Sequence, residues 1–160
     1  MKEDIYNKLD KMGISYKIVE HGAVYTIEEA LDKKIENKDK IVKNLFIRDD
    51  KKQNYYLLLV PSLKRVNLKE LRKKINSRPL SFASIYDLEK YLGLKKGAVS
   101  PLGVFNDIKR IVKVIIDKEI LSFGIVGVHP NDNTVSVFLK LEDLERIIKE
   151  HGNELEYLEI

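Results

Sequence analysis

The stretch IVKNLFIRDDKKQNYYLLLV, residues 41–60, contains two segments rich in β-branched and aromatic residues. Residues of these types favour strands, and the two segments run from Ile41 to Arg48 and from Tyr55 to Val60. The polar residues 49–54 between them are few enough for a hairpin connection. The sequence therefore predicts two neighbouring antiparallel strands here.

Helices and strands are mixed without strict alternation on both sides of this hairpin. Apolar spacing and capping residues predict helices at Lys2–Met12, Thr26 to about Ile35, Val66 to about Ile75, Ser84 to Gly93 and Glu142–Glu150. Further strands are predicted at Tyr16–Glu20, Lys109–Ile116, Phe123–Val128, Thr134–Leu139 and Glu154–Ile160. Short turns join several of the strands, so we expect an α/β (α+β) fold with helices around one mixed, strongly curved sheet. No linker divides residues 1–160, which favours a single domain.

Composition narrows the function classes. The 160 residues are 44% hydrophobic and 34% charged, which is typical of a folded protein with a real core. The absence of cysteine excludes disulfide scaffolds, thiol catalysis and cysteine-bound zinc. No apolar run reaches the length of a membrane span, and the acidic N-terminus does not resemble a signal peptide. We expect a cytoplasmic protein without a membrane partner.

Lys43 is unusual within the first strand of the hairpin. Because side chains alternate between the two faces of a strand, Lys43 shares a face with Ile41 and Leu45, whereas Asn44 lies on the other face. A lysine in a half-buried apolar row is costly unless it is paired or lies in a cavity. Two interpretations stay open: the ammonium group reaches water while its stem covers the sheet, or it serves a binding site.

The segment Gly97-Ala98-Val99-Ser100-Pro101 is a second candidate. Glycine permits close backbone approach, and neighbouring N–H groups can be directed at one point. Such an arrangement could stabilise the oxyanion that forms when an ester is attacked. The alternative is an ordinary turn that leads into a short helix, with Pro101 at its first position.

The histidines give a weaker signal. His129 ends an apolar strand before Pro130, and His21 follows the first strand in a similar way; both are places where sites are often built. His151 ends the last helix, where a positive charge suits the helix dipole. Their spacing does not match a metal site. No serine lies in a nucleophile elbow, so water is the expected attacking group in any hydrolysis.

Basic residues are dense between positions 64 and 78, although the net charge of the chain is only +4. Two interpretations of this run stay open: a solvated helix face, or a surface that contacts RNA phosphates. The run contains Lys64, Arg65, Lys69, Arg72, Lys73, Lys74 and Arg78.

Four segments together resemble a known family. They are Lys43-Asn44-Leu45-Phe46-Ile47-Arg48, Leu80-Ser81-Phe82-Ala83-Ser84, Leu92-Gly93-Leu94 leading into Gly97 to Gly103, and Gly127 to Thr134. In order and spacing they are similar to the YbaK/ProX superfamily of aminoacyl-tRNA editing proteins. The resemblance is strongest to its free-standing ProX (PrdX) branch, which is similar to the editing domain of bacterial prolyl-tRNA synthetase. It extends from His21 to the last helix.

The resemblance implies the residues of a site. The family's lysine corresponds to Lys43, its neighbouring polar residue to Asn44, its glycine-to-proline loop to Gly97–Pro101 and its late histidine to His129. Catalytic roles are thereby implied for Lys43, Gly97, Ala98, Val99 and Ser100. Substrate binding is implied for Asn44, Pro101, His129, Ile27, Leu31 and Ile41.

The resemblance also implies an activity. Members of this family hydrolyse the ester bond of alanyl-tRNA(Pro) or, in a sister branch, cysteinyl-tRNA(Pro), without a metal or other cofactor. A narrow pocket would admit alanine and exclude the larger proline. The implied partners are the acceptor end of mischarged tRNA(Pro) and, by association, prolyl-tRNA synthetase. The alternatives are the cysteinyl activity, a non-catalytic tRNA-binding module and a structural domain that kept the fold.

Overall fold

The computed structural model describes residues 2–21 and 37–160. The helix predicted at Thr26–Ile35 lies outside these residues, as do the proposed pocket residues Ile27 and Leu31. The described helices are α1 (Lys2–Lys11), α2 (Leu68–Ile75), α3 (Ile85–Leu92) and α4 (Leu141–His151). The strands are β1 (Tyr16–Glu20), β2 (Val42–Asp49), β3 (Tyr55–Pro61), β4 (Leu80–Phe82), β5 (Val112–Asp117), β6 (Ile125–Val128), β7 (Val135–Lys140) and β8 (Leu155–Leu158). Among these residues, every helix is too short or too polar to span a bilayer.

Helix ends follow the capping residues in the sequence. The predicted cap at Ser84 is confirmed, because its side chain accepts from the backbone N–H of Asp87 while the Asp87 carboxylate accepts from Ser84 N–H. Gly93, in a left-handed conformation with φ 63°, ends the same helix. The Asn67 side chain caps α2 by accepting from the backbone of Lys69 and Glu70. Local hydrogen bonding therefore determines where these helices begin and end.

Two sequence predictions about strands differ from the structure. Strand β5 begins at Val112 rather than Lys109, because the buried Asp107 carboxylate accepts from the backbone N–H groups of Ile111 and Val112 and holds the preceding residues in a turn. Strand β4 was not predicted, and its three residues pair with Ile47–Asp49 of β2. The start of β5 depends on hydrogen bonds to the Asp107 side chain. Strand β4 depends on pairing with a distant segment of the chain.

The predicted mixed α/β class is confirmed, but the strands form two sheets rather than one strongly curved sheet. One sheet is antiparallel with the order β1-β7-β6, and the other is mixed with the order β4-β2-β3-β5-β8. Strands β2 and β3 form the predicted hairpin, whereas β3, β5 and β8 run parallel. An isolated parallel bridge between Ile41 and Gly127 connects the sheets.

The main core lies against one face of each sheet and is closed by α1, α3 and α4. The opposite face of the five-stranded sheet packs Ile47, Leu58 and Ile115 against Leu71 of α2. A third, small apolar cluster contains Ile41 and Phe138, with Val19 and Ile125 packed beside it. This third cluster lies where the two sheets meet, at the bridge between Ile41 and Gly127.

Candidate active site

The close approach of the two sheets depends on a glycine. A Cβ atom on Gly127 would lie 2.6 Å from the Phe138 ring and 3.0 Å from Ile41 Cγ1, closer than side chains normally pack. Gly127 therefore permits the bridge to Ile41. The bridge is parallel, and Lys43 and His129 each lie two residues beyond it, so both are on the same side of the junction.

Lys43 is half-buried in β2, opposite Val60 of β3. Its ammonium group donates a hydrogen bond to the backbone carbonyl of Lys64, in the turn after β3. The same turn contacts the start of β2 a second time, because the Ser62 hydroxyl donates to the Ile41 carbonyl. The protein therefore positions the Lys43 head instead of leaving it to extend freely into water.

Asn44 lies on the opposite face from Lys43, the face that also carries the core residues Val42 and Phe46. Its amide nitrogen is 3.4 Å from the Val42 carbonyl, and its Oδ1 is buried without a hydrogen-bond donor among residues 2–21 and 37–160. The structure therefore separates Asn44 from Lys43, although they are adjacent in the sequence.

The His129 ring is held by a hydrogen bond to the backbone of β7. Its Nδ1 lies 2.8 Å from the Val135 carbonyl oxygen, and because that oxygen can only accept, Nδ1 carries the hydrogen. Burial lowers the pKa of the imidazole, against the opposing effect of the Val135 hydrogen bond. The ring is thus neutral near pH 7, with Nε2 as its acceptor nitrogen.

His21 lies near His129, and Ser136 lies beside His21. The His21 and His129 rings are 6.2 Å apart between centroids, and His21 Nε2 is 2.9 Å from the Ser136 hydroxyl oxygen. The sequence interpretation noted His21 only as a strand-end residue and missed Ser136. The signal for Ser136 was present: between Val135 and Val137 it falls on the opposite strand face from the apolar core positions.

The Gly97–Pro101 loop is attached to the same region through Ser100. The fully buried Ser100 hydroxyl donates to the His129 carbonyl and accepts from the backbone N–H of Leu102 at 3.2 Å. Gly97 adopts φ 86°, a conformation that favours glycine. Pro101 begins a 3₁₀ helix that extends to Asn106, as the ordinary-turn interpretation predicts.

The amides of this loop are not equivalent. The Ala98 N–H donates to the Lys95 carbonyl at 3.1 Å, so it belongs to the turn and is not directed at a substrate. Within the described ranges, the N–H groups of Gly97, Val99 and Ser100 have no backbone acceptor. These three amides are the better candidates for binding an oxyanion. Within the same ranges, no three His, Asp or Glu side chains are grouped to hold a metal ion.

Comparison with known proteins identifies the family. Residues 21–147 match the aminoacyl-tRNA editing domain. The chain belongs to this family. It is also 48% identical to the prolyl-tRNA editing protein ProX of Acetoanaerobium sticklandii, over 99% of this chain and 97% of that protein. The mouse prolyl-tRNA synthetase associated domain-containing protein 1 is 32% identical to this editing domain, over 96% of this chain and 93% of that protein.

Solved structures agree on the fold of the editing domain. One was proposed to be a trans-editing enzyme for prolyl tRNA synthetase; it superposes with a TM-score of 0.72 at 21% sequence identity, covering 99% of this chain and 96% of its own. Another, the protein APE2540, superposes with a TM-score of 0.71 at 17% identity, covering 97% of each chain. At these identities the likeness concerns the fold.

Gly127→Ala provides a test of the junction in this editing domain. The added methyl group must displace Phe138 or Ile41, which we expect to cost about 1–3 kcal/mol of folding stability and to separate Lys43 from His129. Stability is measured by thermal unfolding and activity by deacylation. Gly124→Ala is the control, because a Cβ there meets no atom within 4 Å. Its φ of 73° is unfavourable for alanine, so this control includes backbone strain without a steric clash. Equal loss of activity in the two variants would contradict the role of the close approach.

Proposed function

We propose that this chain is a trans-editing deacylase that hydrolyses the ester bond of mischarged alanyl-tRNA(Pro). The observation that carries the proposal is the family membership over residues 21–147, together with the 48% identity to a protein named as a prolyl-tRNA editing protein. In this proposal residues 1–160 act as one domain in the cytoplasm, on tRNA that prolyl-tRNA synthetase has mischarged.

The chemistry proposed is attack by water on the ester carbonyl carbon. The bond between the carbonyl carbon and the ribose oxygen breaks, the ribose oxygen takes up one proton of the water, the second proton passes to solvent, and alanine leaves as its carboxylate. An aminoacyl ester is already activated, so positioning and charge stabilisation supply most of the catalysis. No protein nucleophile is required.

The site residues take distinct roles in this mechanism. The Lys43 ammonium donates to the Lys64 carbonyl in the 61–67 turn, and in this proposal the positioned ammonium also donates to a substrate oxygen. The amides of Gly97, Val99 and Ser100 would receive the oxyanion. His129 Nε2, as an acceptor, would bind the attacking water or the substrate's amino group. The Ser100 side chain would position the loop relative to His129, since its hydroxyl donates a hydrogen bond to the His129 carbonyl.

Size would determine specificity at the Ile41–Phe138 cluster. Both side chains are buried, at 8% and 4% exposure, and both crowd the missing side chain of Gly127. In this proposal these closely packed side chains form a wall that rejects the larger proline ring by steric clash. Ile27 and Leu31 remain proposed members of this pocket, and Asn44 and Pro101 remain proposed substrate-binding residues.

The proposal predicts selective release of amino acids from a panel of charged tRNAs. We expect rapid deacylation of alanyl-tRNA(Pro) and at least tenfold slower deacylation of cognate prolyl-tRNA(Pro), because the pocket excludes the larger residue. The measurement is loss of labelled amino acid from tRNA, with buffer alone as the control. Preference for cysteinyl-tRNA(Pro) would establish the sister activity instead, and release from none of the panel would refute the enzymatic proposal.

A further inference from the structure

A lysine-lined groove runs beside the Gly97–Pro101 loop, on the side of α1. It consists of two adjoining cavities of about 500 and 520 Å³ that share Gly93 and Asn131 as lining residues. The first cavity reaches Ala98 of the candidate active-site loop, and the second follows α1 to Lys11. A continuous surface channel thus leads away from the loop that is proposed to receive the ester.

The charge along this groove is positive. Three acidic residues also line it: Glu3, Asp4 and Asp132. Of these, Asp132 uses one carboxylate oxygen within its own turn, where it accepts from the Thr134 backbone and hydroxyl. The basic lining residues are Lys2, Lys8, Lys11, Lys95 and Lys96.

Several of these lysines are available for a ligand. Lys95 and Lys96 are exposed, and no acidic group of residues 2–21 or 37–160 lies within ion-pair distance of either one. Lys8 lies over the Phe105 ring at 4.6 Å, a contact that leaves its charge uncompensated. Lys2 is only loosely associated with Asp132, at 4.0 Å. A surface of this kind attracts a polyanion.

Of the seven basic residues in the run around α2, the other candidate for phosphate binding, three form ion pairs with acidic side chains in the described part of the chain. Lys64 forms ion pairs with Asp117 at 2.7 Å and Glu119 at 3.0 Å. Arg78 makes two hydrogen bonds to Asp50. Lys73 lies 3.7 Å from Glu70. Lys74 and Arg72 donate to the backbone carbonyls of Glu159 and Ser77, which position the side chains without cancelling their charge. Part of that run is therefore engaged by acidic side chains, whereas Lys95 and Lys96 of the groove have no such partner among residues 2–21 and 37–160.

We propose that the groove formed by α1 and residues 93–98 binds the phosphate backbone of the RNA strand that carries the ester. This inference rests on the proposed function, because it places the RNA next to the loop that would receive the ester. Lys96 directly precedes Gly97, so a phosphate bound there lies one residue from the proposed oxyanion amides. Phosphate contacts of this kind position a nucleic acid without reading its sequence.

The double variant Lys95→Glu plus Lys96→Glu tests the groove. We expect its affinity for uncharged tRNA(Pro) transcript to fall at least tenfold, and the salt dependence of binding to decrease, because each lost phosphate contact removes about 0.7–0.9 from the logarithmic slope. Binding is measured by fluorescence anisotropy across a salt series. The matched control pairs Lys51→Glu with Lys52→Glu, two adjacent exposed lysines of the β2–β3 turn, and is expected to change affinity less than threefold.

Deacylation assays with two substrates distinguish an error in the proposed groove from an error in the proposed function. The groove variant should lose at least tenfold more activity on alanyl-tRNA(Pro) than on 3′-alanyl-adenosine, which lacks the RNA backbone. If the wild-type protein hydrolyses neither ester, the proposed function fails, and transcript binding still decides the groove. Unchanged transcript binding in the groove variant, or an equal loss in the control variant, would overturn the inference.

Discussion

Lys43→Ala is expected to lower kcat/KM for alanyl-tRNA(Pro) by about 10²–10³-fold, the effect typical of losing one group that stabilises a developing oxyanion. Lys43 lies two residues beyond the bridge that joins Ile41 to Gly127 of β6, and its ammonium donates a hydrogen bond to the Lys64 carbonyl. Alanine keeps the strand but removes the charge and every N–H donor. Initial-rate deacylation across tRNA concentrations measures the change.

A second lysine in the same sheet provides the control for Lys43. Lys113 of β5 is also half-buried and forms an ion pair with Glu156 at 3.3 Å, but it is two strands away from β2 in the sheet order. Lys113→Ala should retain activity within about threefold, since partly exposed ion pairs contribute little. Circular dichroism should show folded protein for both variants. Near-normal activity of Lys43→Ala would remove Lys43 from the mechanism.

Asp107→Ala is expected to cause the largest loss of stability among the substitutions considered. The carboxylate is 3% exposed and accepts from Ile111 N–H at 3.1 Å, Val112 N–H at 2.8 Å and the Asn153 amide at 2.8 Å. Removing it leaves buried donors without an acceptor, a cost of about 3 kcal/mol. For a chain of this size the melting temperature should fall by about 6–12 °C.

The exposed carboxylate of Asp50 provides the comparison for Asp107. It accepts two hydrogen bonds from Arg78 on the surface, which lower the pKa of the carboxyl group. Asp50→Ala should nevertheless shift the melting temperature little, since exposed ion pairs contribute about 0–1 kcal/mol. Thermal unfolding followed by circular dichroism compares the two variants. A similar shift for both would show that the Asp107 cluster is not a principal support of β5.

The sequence alone predicted the features that depend on the order of neighbouring residues. Alternation in β2 placed Lys43 and Asn44 on opposite faces, and the structure agrees. Capping chemistry located the start of α3 at Ser84. By contrast, β4 was missed, because its pairing with β2 joins residues more than thirty positions apart and its own three residues carry no clear strand pattern.

Local residue chemistry, read from the chain alone, determined the hairpin, most helix ends and the candidate residues Lys43, Gly97–Pro101 and His129. Tertiary structure decided how these residues meet: the Ile41–Gly127 bridge, the Ser100 hydrogen bond to His129, and the grouping of His21 with Ser136. The physical reason is that periodicity and capping act over a few residues, whereas these contacts require distant segments to pack against one another in three dimensions.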